Sequence, residues 1–566
     1  MPTHISLSDI ISLAHDGQIE NAITLCEKKL LSALDDAETW HLSGLLQMLS
    51  GHPDQAVMRY EKALEISPSA SKYHSNLGNA YLACGDPGRA EKHYRLALAL
   101  PSPPTETTYN FALLLSRQER YTDAVSILED RPQSHLLDAD SYRLLGDCQQ
   151  QLGQMVDAAI SYEQALKKSP NMPDTLAELA LVQENLNQLA SSKSNAQRAI
   201  ALQSQHDLAR FVLARVDRRE GRLEEALLIL ESMAAEMPGG KLAAALLQEL
   251  GSVHDRLDSP DEAMACFIRA KRMQLTLAPA SLHTKAADYL AELDTLVALP
   301  RYFPSLPPEL SQDEPSPVFL IGFPRSGTTL LDTMLGGHPN IQTLEERPLI
   351  QSIVASHPIL FSQENFENPL PLQIRQSLQA LYFDLADREV PRRPGAVWVD
   401  KMPLNLTRLP HILRIFPSAR FILAVRHPCD VCLSCQMQLF AMNPAMANLH
   451  SLESTAKLYA RVMQLWLRYT HEQPLSAHII RYEDLLHTPE AELKRLLEFI
   501  SLPWHSTLMR FNERAKDGRH IDTPSYQQVS QALYQHANGR WQRYRKYLTP
   551  IISALEPAMQ HFGYSH

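Results

Sequence analysis

The sequence predicts a two-part protein, an all-α solenoid of repeated helical hairpins followed by an α/β domain with a parallel sheet. Three observations predict it. A pattern of small and aromatic residues returns every 34 residues through the first ~275 positions. After Pro317, short apolar runs alternate with helical stretches. One of those runs, VFLIGF at 318–323, feeds a tight turn, Pro324-Arg325-Ser326-Gly327-Thr328-Thr329, that opens an apolar helix.

Length and composition set the bounds. A chain of 566 residues is too long for one core. Its 45% hydrophobic and 21% charged residues are ordinary for a globular protein. A formal net charge of −11 argues against a nucleic-acid partner held by bulk charge. No apolar span reaches the ~20 residues a membrane helix needs. The first residues, MPTHISLSDIISLAHDG, lack the basic flank and apolar stretch of a secretory signal. Seven cysteines in so long a chain are no disulfide framework, and the expectation is a reducing cytoplasm.

The repeat is read from its small positions. The unit from Ala37 carries Trp40, Gly44, Ala56, Tyr60, Ala63 and Pro68. The unit from Ser71 repeats Gly78, Tyr81, Ala90, Tyr94 and Ala97, and that from Ala139 repeats Tyr142, Gly146, Ala158, Tyr162, Ala165 and Pro170. Unit starts at 3, 37, 71, 105, 139, 173 and 207 are in register, and an eighth unit from about Ala244 carries Gly251, Ala263, Phe267 and Ala270. Small residues let two antiparallel helices approach, and aromatics fill the gaps between them. A lone hairpin cannot bury its apolar face, so the units must stack. This register resembles the tetratricopeptide repeat family, which implies a groove that binds a peptide or protein. The expected organisation is a repeat array over 1–280, a capping helix and proline-rich linker over 281–317, and the α/β domain over 318–566. Tyr302 and Phe303 of the linker are expected to pack on one of the domains.

In the α/β domain four runs read as buried strands: 318–323, 396–401, 420–426 and 478–484. Ligands in such sheets sit at the carboxyl ends of the strands. The polar residues there are Arg325–Thr329, Asp400, Lys401, Arg426, Arg481 and Tyr482. The turn GFPRSGTT nearly fits the phosphate-binding pattern G-x-x-x-x-G-K-[ST], with Gly322 and Gly327 at the right spacing. Thr328 replaces the lysine that nucleoside triphosphatases place on the β- and γ-phosphates, which argues against ATP hydrolysis. Amides, hydroxyls and Arg325 still suit one oxyanion. Lys401 supplies a second cation. Arg426 with Ser434 is placed for a second, separate phosphate, and Glu346 beside Glu345 is the nearest general base.

These residues resemble the sulfotransferases that use 3′-phosphoadenosine 5′-phosphosulfate (PAPS). PRSGTT matches that family's 5′-phosphosulfate loop, and Arg426 with Ser434 its 3′-phosphate motif. The spacing from Arg325 through His338-Pro339 to Glu345-Glu346 is most similar to the tyrosylprotein sulfotransferases, as are Lys401 with Pro403, Phe416-Pro417 and Arg481–Glu483. The resemblance covers roughly 315–547. It implies Glu346 as catalytic base, Arg325 and Lys401 as leaving-group cations, and Ser525 near the bridging oxygen. It implies donor contacts from Arg325, Ser326, Gly327, Thr328, Thr329, Arg426, Ser434, Tyr482 and Arg540. It implies PAPS as donor, 3′-phosphoadenosine 5′-phosphate as product, no metal, and a tyrosine of a peptide or protein as acceptor. The membrane anchor of the animal tyrosylprotein enzymes has no counterpart in this sequence.

Blander readings stand beside these. Cys429, Cys432 and Cys435 are spaced like metal ligands but read as small buried hydrophobes. His338 before Pro339 marks a turn. Arg540, Arg543, Arg545 and Lys546 are either a solvated helix face or a nucleotide contact. Asp400 mimics the acidic strand end that holds Mg²⁺ in ATP enzymes, so a P-loop-type kinase is the enzymatic rival. A non-catalytic repeat protein with a degenerate second domain is the other.

Overall fold

The computed structural model describes residues 5–129, 137–237, 239–298, 315–362, 365, 369–511 and 538–565. Most of the proline-rich linker, with Tyr302 and Phe303, and Ser525 lie outside the described residues. By internal packing the chain divides into Met1–Val212 and Leu213–His566.

The repeats form helical hairpins, from Leu7–His15 with Ile19–Leu30 to Gly240–Arg256 with Pro260–Thr276, and the helix Ala280–Ala298 follows the last. The small positions have a direct steric cause. A Cβ on Gly44 would meet the Tyr60 ring at 2.5 Å, and one on Gly251 would meet the Phe267 ring at 2.8 Å. Each glycine therefore lets one helix lie against the aromatic ring of its partner. Tyr60, Tyr94, Tyr162 and Phe267 are all buried in this way.

The second half holds a five-stranded parallel sheet. Its strands are β1 (Val318–Gly322), β2 (Ile341–Glu345), β3 (Val397–Lys401), β4 (Arg420–Val425) and β5 (Ala477–Arg481), in the order β2-β3-β1-β4-β5. The strand β2 adds a fifth member to the four that the sequence predicts. It is an edge strand in which Ile341 and Leu344 are buried and the other three residues are half-buried, so it lacks the continuous apolar run that marks the others.

Alternation along the strands sorts side chains to two apolar layers. Phe319 and Ile321 pack in one layer with Tyr382, Trp398 and the long helix Leu452–Glu472. Val318, Leu320 and Val399 pack in the other with the helices Thr328–Leu335 and Pro489–Phe499. Because β1 is central and chain order reverses on either side of it, the carboxyl ends of β1, β3 and β4 flank one crevice. A Cβ on Gly322 would meet the Ala424 carbonyl at 2.6 Å, so glycine keeps β1 and β4 close where the turn begins.

Candidate active site

The turn after β1 is built to present amides. Arg325 and Gly327 both take left-handed backbone, at φ 72° and 95°. Glycine adopts this freely, whereas arginine does so at a cost. The helix Thr328–Leu335 that follows has no side-chain cap. Its first N–H groups lack intrahelical acceptors and carry the positive end of the helix dipole. The Ser326 hydroxyl is buried in the same turn and has no hydrogen-bond partner among the described residues. An uncapped helix start beside an orphaned buried hydroxyl fits an oxyanion.

Two groups of side chains flank this turn. On one side Arg325 Nε donates to Ser434 Oγ at 2.9 Å, and Arg426 Nη1 reaches the Arg325 carbonyl at 3.4 Å. The Arg426 guanidinium lies over the Tyr482 ring, 4.8 Å from its centroid. That ring also covers Gly327, where an added Cβ would stand 2.6 Å from it. Burial pushes the Arg325 guanidinium down to about 10, with Arg426 and Arg540 also opposing its charge, so it stays protonated at neutral pH. The sequence places Arg426 and Ser434 at a separate phosphate. The structure joins that place to the turn through the Arg325–Ser434 bond.

On the other side Lys401, wholly buried at the end of β3, donates to Glu346 Oε1 at 2.7 Å and Glu345 Oε1 at 3.1 Å. Burial opposes its charge, but Glu346, Asp332 and Glu345 outweigh burial and hold the ammonium above its ordinary value. Glu346 takes left-handed backbone at φ 40°, and its N–H donates to the Lys401 carbonyl at 2.8 Å. The backbone bond and the side-chain bond together fix the carboxylate beside the ammonium. Asp332, one helical turn inside Thr328–Leu335, completes this group. Burial raises it to about 7, against the opposing pull of Lys401. Asp332 escapes sequence reading because it sits in an apolar helix stripe and matches no motif.

Other sequence candidates find different partners. Asp400 faces the layer opposite Lys401, where Tyr382 Oη donates to it at 2.8 Å, and burial raises it to about 7. It is a core carboxyl, which removes the residue that suggested an Mg²⁺ site. His338 Nδ1 accepts from the Asn340 amide at 3.1 Å and its Nε2 donates to the Pro503 carbonyl at 2.9 Å, so it shapes a turn. Cys429, Cys432 and Cys435 are buried, and burial pushes their thiols up. Among the described residues no three His, Cys, Asp or Glu side chains cluster as metal ligands, and no helix is long and apolar enough to cross a membrane.

The basic run near the C-terminus pairs with acidic residues of the last repeat hairpin. Arg540 bonds Asp255, Arg543 bonds Asp258 at 2.6 Å, and Lys546 bonds Asp261 at 2.6 Å. This run is therefore not a bare solvated face. Glu483, in the RYE segment, accepts from the His427 amide at 2.9 Å and from Tyr564 Oη at 2.7 Å, which ties the end of β5 to the C-terminus.

An uncapped helix start at a parallel-sheet switch point, with cations on both sides and a carboxylate beside one of them, has the make-up of a phosphate-loop-type site. Residues 317–506 match the model of a sulfotransferase family, and residues 37–69, 74–108 and 109–173 match tetratricopeptide repeat models. The chain thus carries a sulfotransferase-family domain behind tetratricopeptide repeats. An uncharacterised protein of Aquifex aeolicus is 31% identical over 42% of this chain and 32% of its own length. A protein-tyrosine sulfotransferase of Drosophila melanogaster is 26% identical over 35% of this chain and 40% of its own length. The chain thus spans well under half of either relative. The sulfotransferase domain from the curacin biosynthetic pathway is 21% identical, with a TM-score of 0.32 over 44% of this chain and 98% of that one.

Proposed function

We propose that this protein transfers a sulfuryl group from PAPS to an acceptor hydroxyl, with tyrosine in a peptide or protein as the first choice. The observation that carries the reading is the Lys401–Glu346 pair beside the uncapped, glycine-turned start of the helix Thr328–Leu335. The protein-tyrosine sulfotransferase relatives support the tyrosine acceptor, and the attached repeats support a peptide as its carrier.

In the proposed step the Glu346 carboxylate takes the acceptor's O–H proton. The acceptor oxygen forms the new S–O bond as the bond from sulfur to the bridging phosphate oxygen breaks. The electron pair of that bond stays on the bridging oxygen, and Lys401 donates a hydrogen bond to it as its charge grows. Preorganised donors of this sort act where charge develops. The turn amides and Ser326 hold the 5′-phosphosulfate. Arg325 spans from the turn toward Ser434 and Arg426, which hold the 3′-phosphate. Tyr482 and Arg540 stand beside them. The hydrogen bond between Lys401 and Glu346 holds the carboxylate in place until the acceptor arrives.

A thermal-shift titration with 3′-phosphoadenosine 5′-phosphate and with ATP, followed by labelled sulfate transfer to paired tyrosine and phenylalanine peptides, tests this. The expected result is stabilisation by the former nucleotide and label on the tyrosine peptide alone. Stabilisation by ATP alone would favour a kinase, and response to neither would favour a non-catalytic repeat protein.

A further inference from the structure

Lys271 lies on the second helix of the last repeat hairpin, Pro260–Thr276, and is 3% exposed. Among the described residues its ammonium has no hydrogen-bond or ion-pair partner, and the Phe440 ring, 5.0 Å from Nζ to centroid, is its one aromatic neighbour. An enclosed ammonium without a counter-ion is costly, and burial draws it down to about 8. Its neighbours place it at the phosphate side of the site. Gln274, one turn on, donates to the Phe440 carbonyl at 2.8 Å, and Gln248 of the preceding helix donates to the Met437 carbonyl. The hairpin thereby grips the segment that leaves the helix Pro428–Gln436, which carries Ser434.

Cys435, next to Ser434, is the meeting point. Its Sγ approaches the Pro324 carbonyl of the turn at 3.7 Å, and Lys271, Arg325 and Arg426 all lie within electrostatic reach of it. Burial keeps this thiol protonated, so it neutralises none of the three. One carboxylate reaches this group, Asp430 Oδ2 at 3.9 Å from Arg426 Nη2. Asp430 accepts the Gly539 and Trp541 amides at 2.9 Å each, and Asp255 holds Arg540 and Tyr544. Arg426 thus has Asp430 and Arg325 has Ser434, whereas the Lys271 ammonium has neither kind of partner among the described residues, and an oxyanion beside Ser434 is the group that would satisfy it.

We propose that Lys271, contributed by the last repeat hairpin, contacts the donor's 3′-phosphate together with Arg426 and Ser434, so that the repeats complete the donor site. This rests on the sulfotransferase reading above. Calorimetric titration of the full chain with 3′-phosphoadenosine 5′-phosphate and with 5′-AMP, on wild type, Lys271→Met and Lys271→Gln, tests it. Both variants should bind the bisphosphate about tenfold to a hundredfold more weakly. Both should bind 5′-AMP as wild type does, and ligand-free Lys271→Met should melt no lower than wild type because an unpaired buried charge is gone. Unchanged bisphosphate affinity, a parallel loss for both nucleotides, or a lower melting temperature in both variants would overturn the proposal. Wild type that binds no bisphosphate would instead overturn the donor reading, and this inference with it.

Discussion

Lys401 donates a 2.7 Å hydrogen bond to Glu346, and the Glu346 amide donates back to the Lys401 carbonyl at 2.8 Å. The two residues end one strand and follow the other in an adjacent pair, so sheet register itself brings base and cation together. The left-handed backbone of Glu346 lets its chain make both bonds.

That reciprocity sets the first expectation. Glu346→Gln keeps the backbone bond and the side-chain size but removes the base. Turnover should fall about 10²–10⁴-fold with bisphosphate affinity unchanged. Lys401→Met should lower the single-turnover rate about 10²–10³-fold. A Glu346→Gln enzyme with full turnover would show that another group takes the proton.

Asp400 predicts a pH dependence of stability. Its folded carboxyl titrates at about 7, above the ordinary carboxylate range, because burial disfavours its charge. The folded state therefore binds the proton more tightly than the unfolded state. The stabilisation is complete below about pH 4 and is lost as pH rises toward 7, a change on the order of a few kcal/mol. Asp332 adds a slope of the same sign. Asp400→Asn still accepts from Tyr382 but cannot titrate. Denaturant unfolding between pH 5 and 8 should show a flatter slope in that variant, and equal slopes would place the titration elsewhere.

The repeats and four of the five strands are legible because their signals are local. Gly44, Tyr60 and their equivalents recur at fixed spacing, and β1, β3, β4 and β5 are apolar runs that end in polar residues. The strand β2 is hidden by its edge position, and Asp332 by its apolar neighbours. The partnership of Arg540, Arg543 and Lys546 with Asp255, Asp258 and Asp261 joins positions some 285 residues apart, and no local spacing encodes it. Asp400 misleads for the opposite reason. Its place at a strand end resembles a metal carboxylate, but alternation turns it to the face where Tyr382 lies.

Gly327 supports a steric prediction. At φ 95° an alanine is strained, and its Cβ would stand 2.6 Å from the Tyr482 ring. That ring carries the Arg426 guanidinium on its face. Gly327→Ala should therefore displace Tyr482 and Arg426 together. Strain of about 1–3 kcal/mol should appear as a lower melting temperature. Affinity for 3′-phosphoadenosine 5′-phosphate should fall, and Tyr482→Ala in the same chain should restore part of the stability. If the double variant is no more stable than the single one, the ring is not the obstacle.

Asp255 anchors the segment that carries Arg540. Its carboxylate accepts Tyr544 Oη at 2.7 Å and Arg540 Nε at 3.2 Å, and its carbonyl accepts Arg543 at 2.9 Å. From the other side both carboxylate oxygens of Asp430 accept the Gly539 and Trp541 amides. The short stretch Gly539–Tyr544 is thus held between a repeat helix and the helix that bears Ser434. Asp255 is nearly buried, so removing its charge strands Arg540 in a partly dry setting. Asp255→Asn should cost on the order of 3 kcal/mol. Hydrogen exchange should speed up across 539–548 while the hairpins before Val212 keep their protection. Bisphosphate affinity should weaken as Arg540 loses its fixed orientation. Lys546→Ala is the matched comparison. Its bond to Asp261 is solvent-exposed on both sides, so melting temperature and affinity should both stay at wild-type values. An equal response to the two substitutions would mean that the general charge of the segment matters, and not the Asp255 anchor.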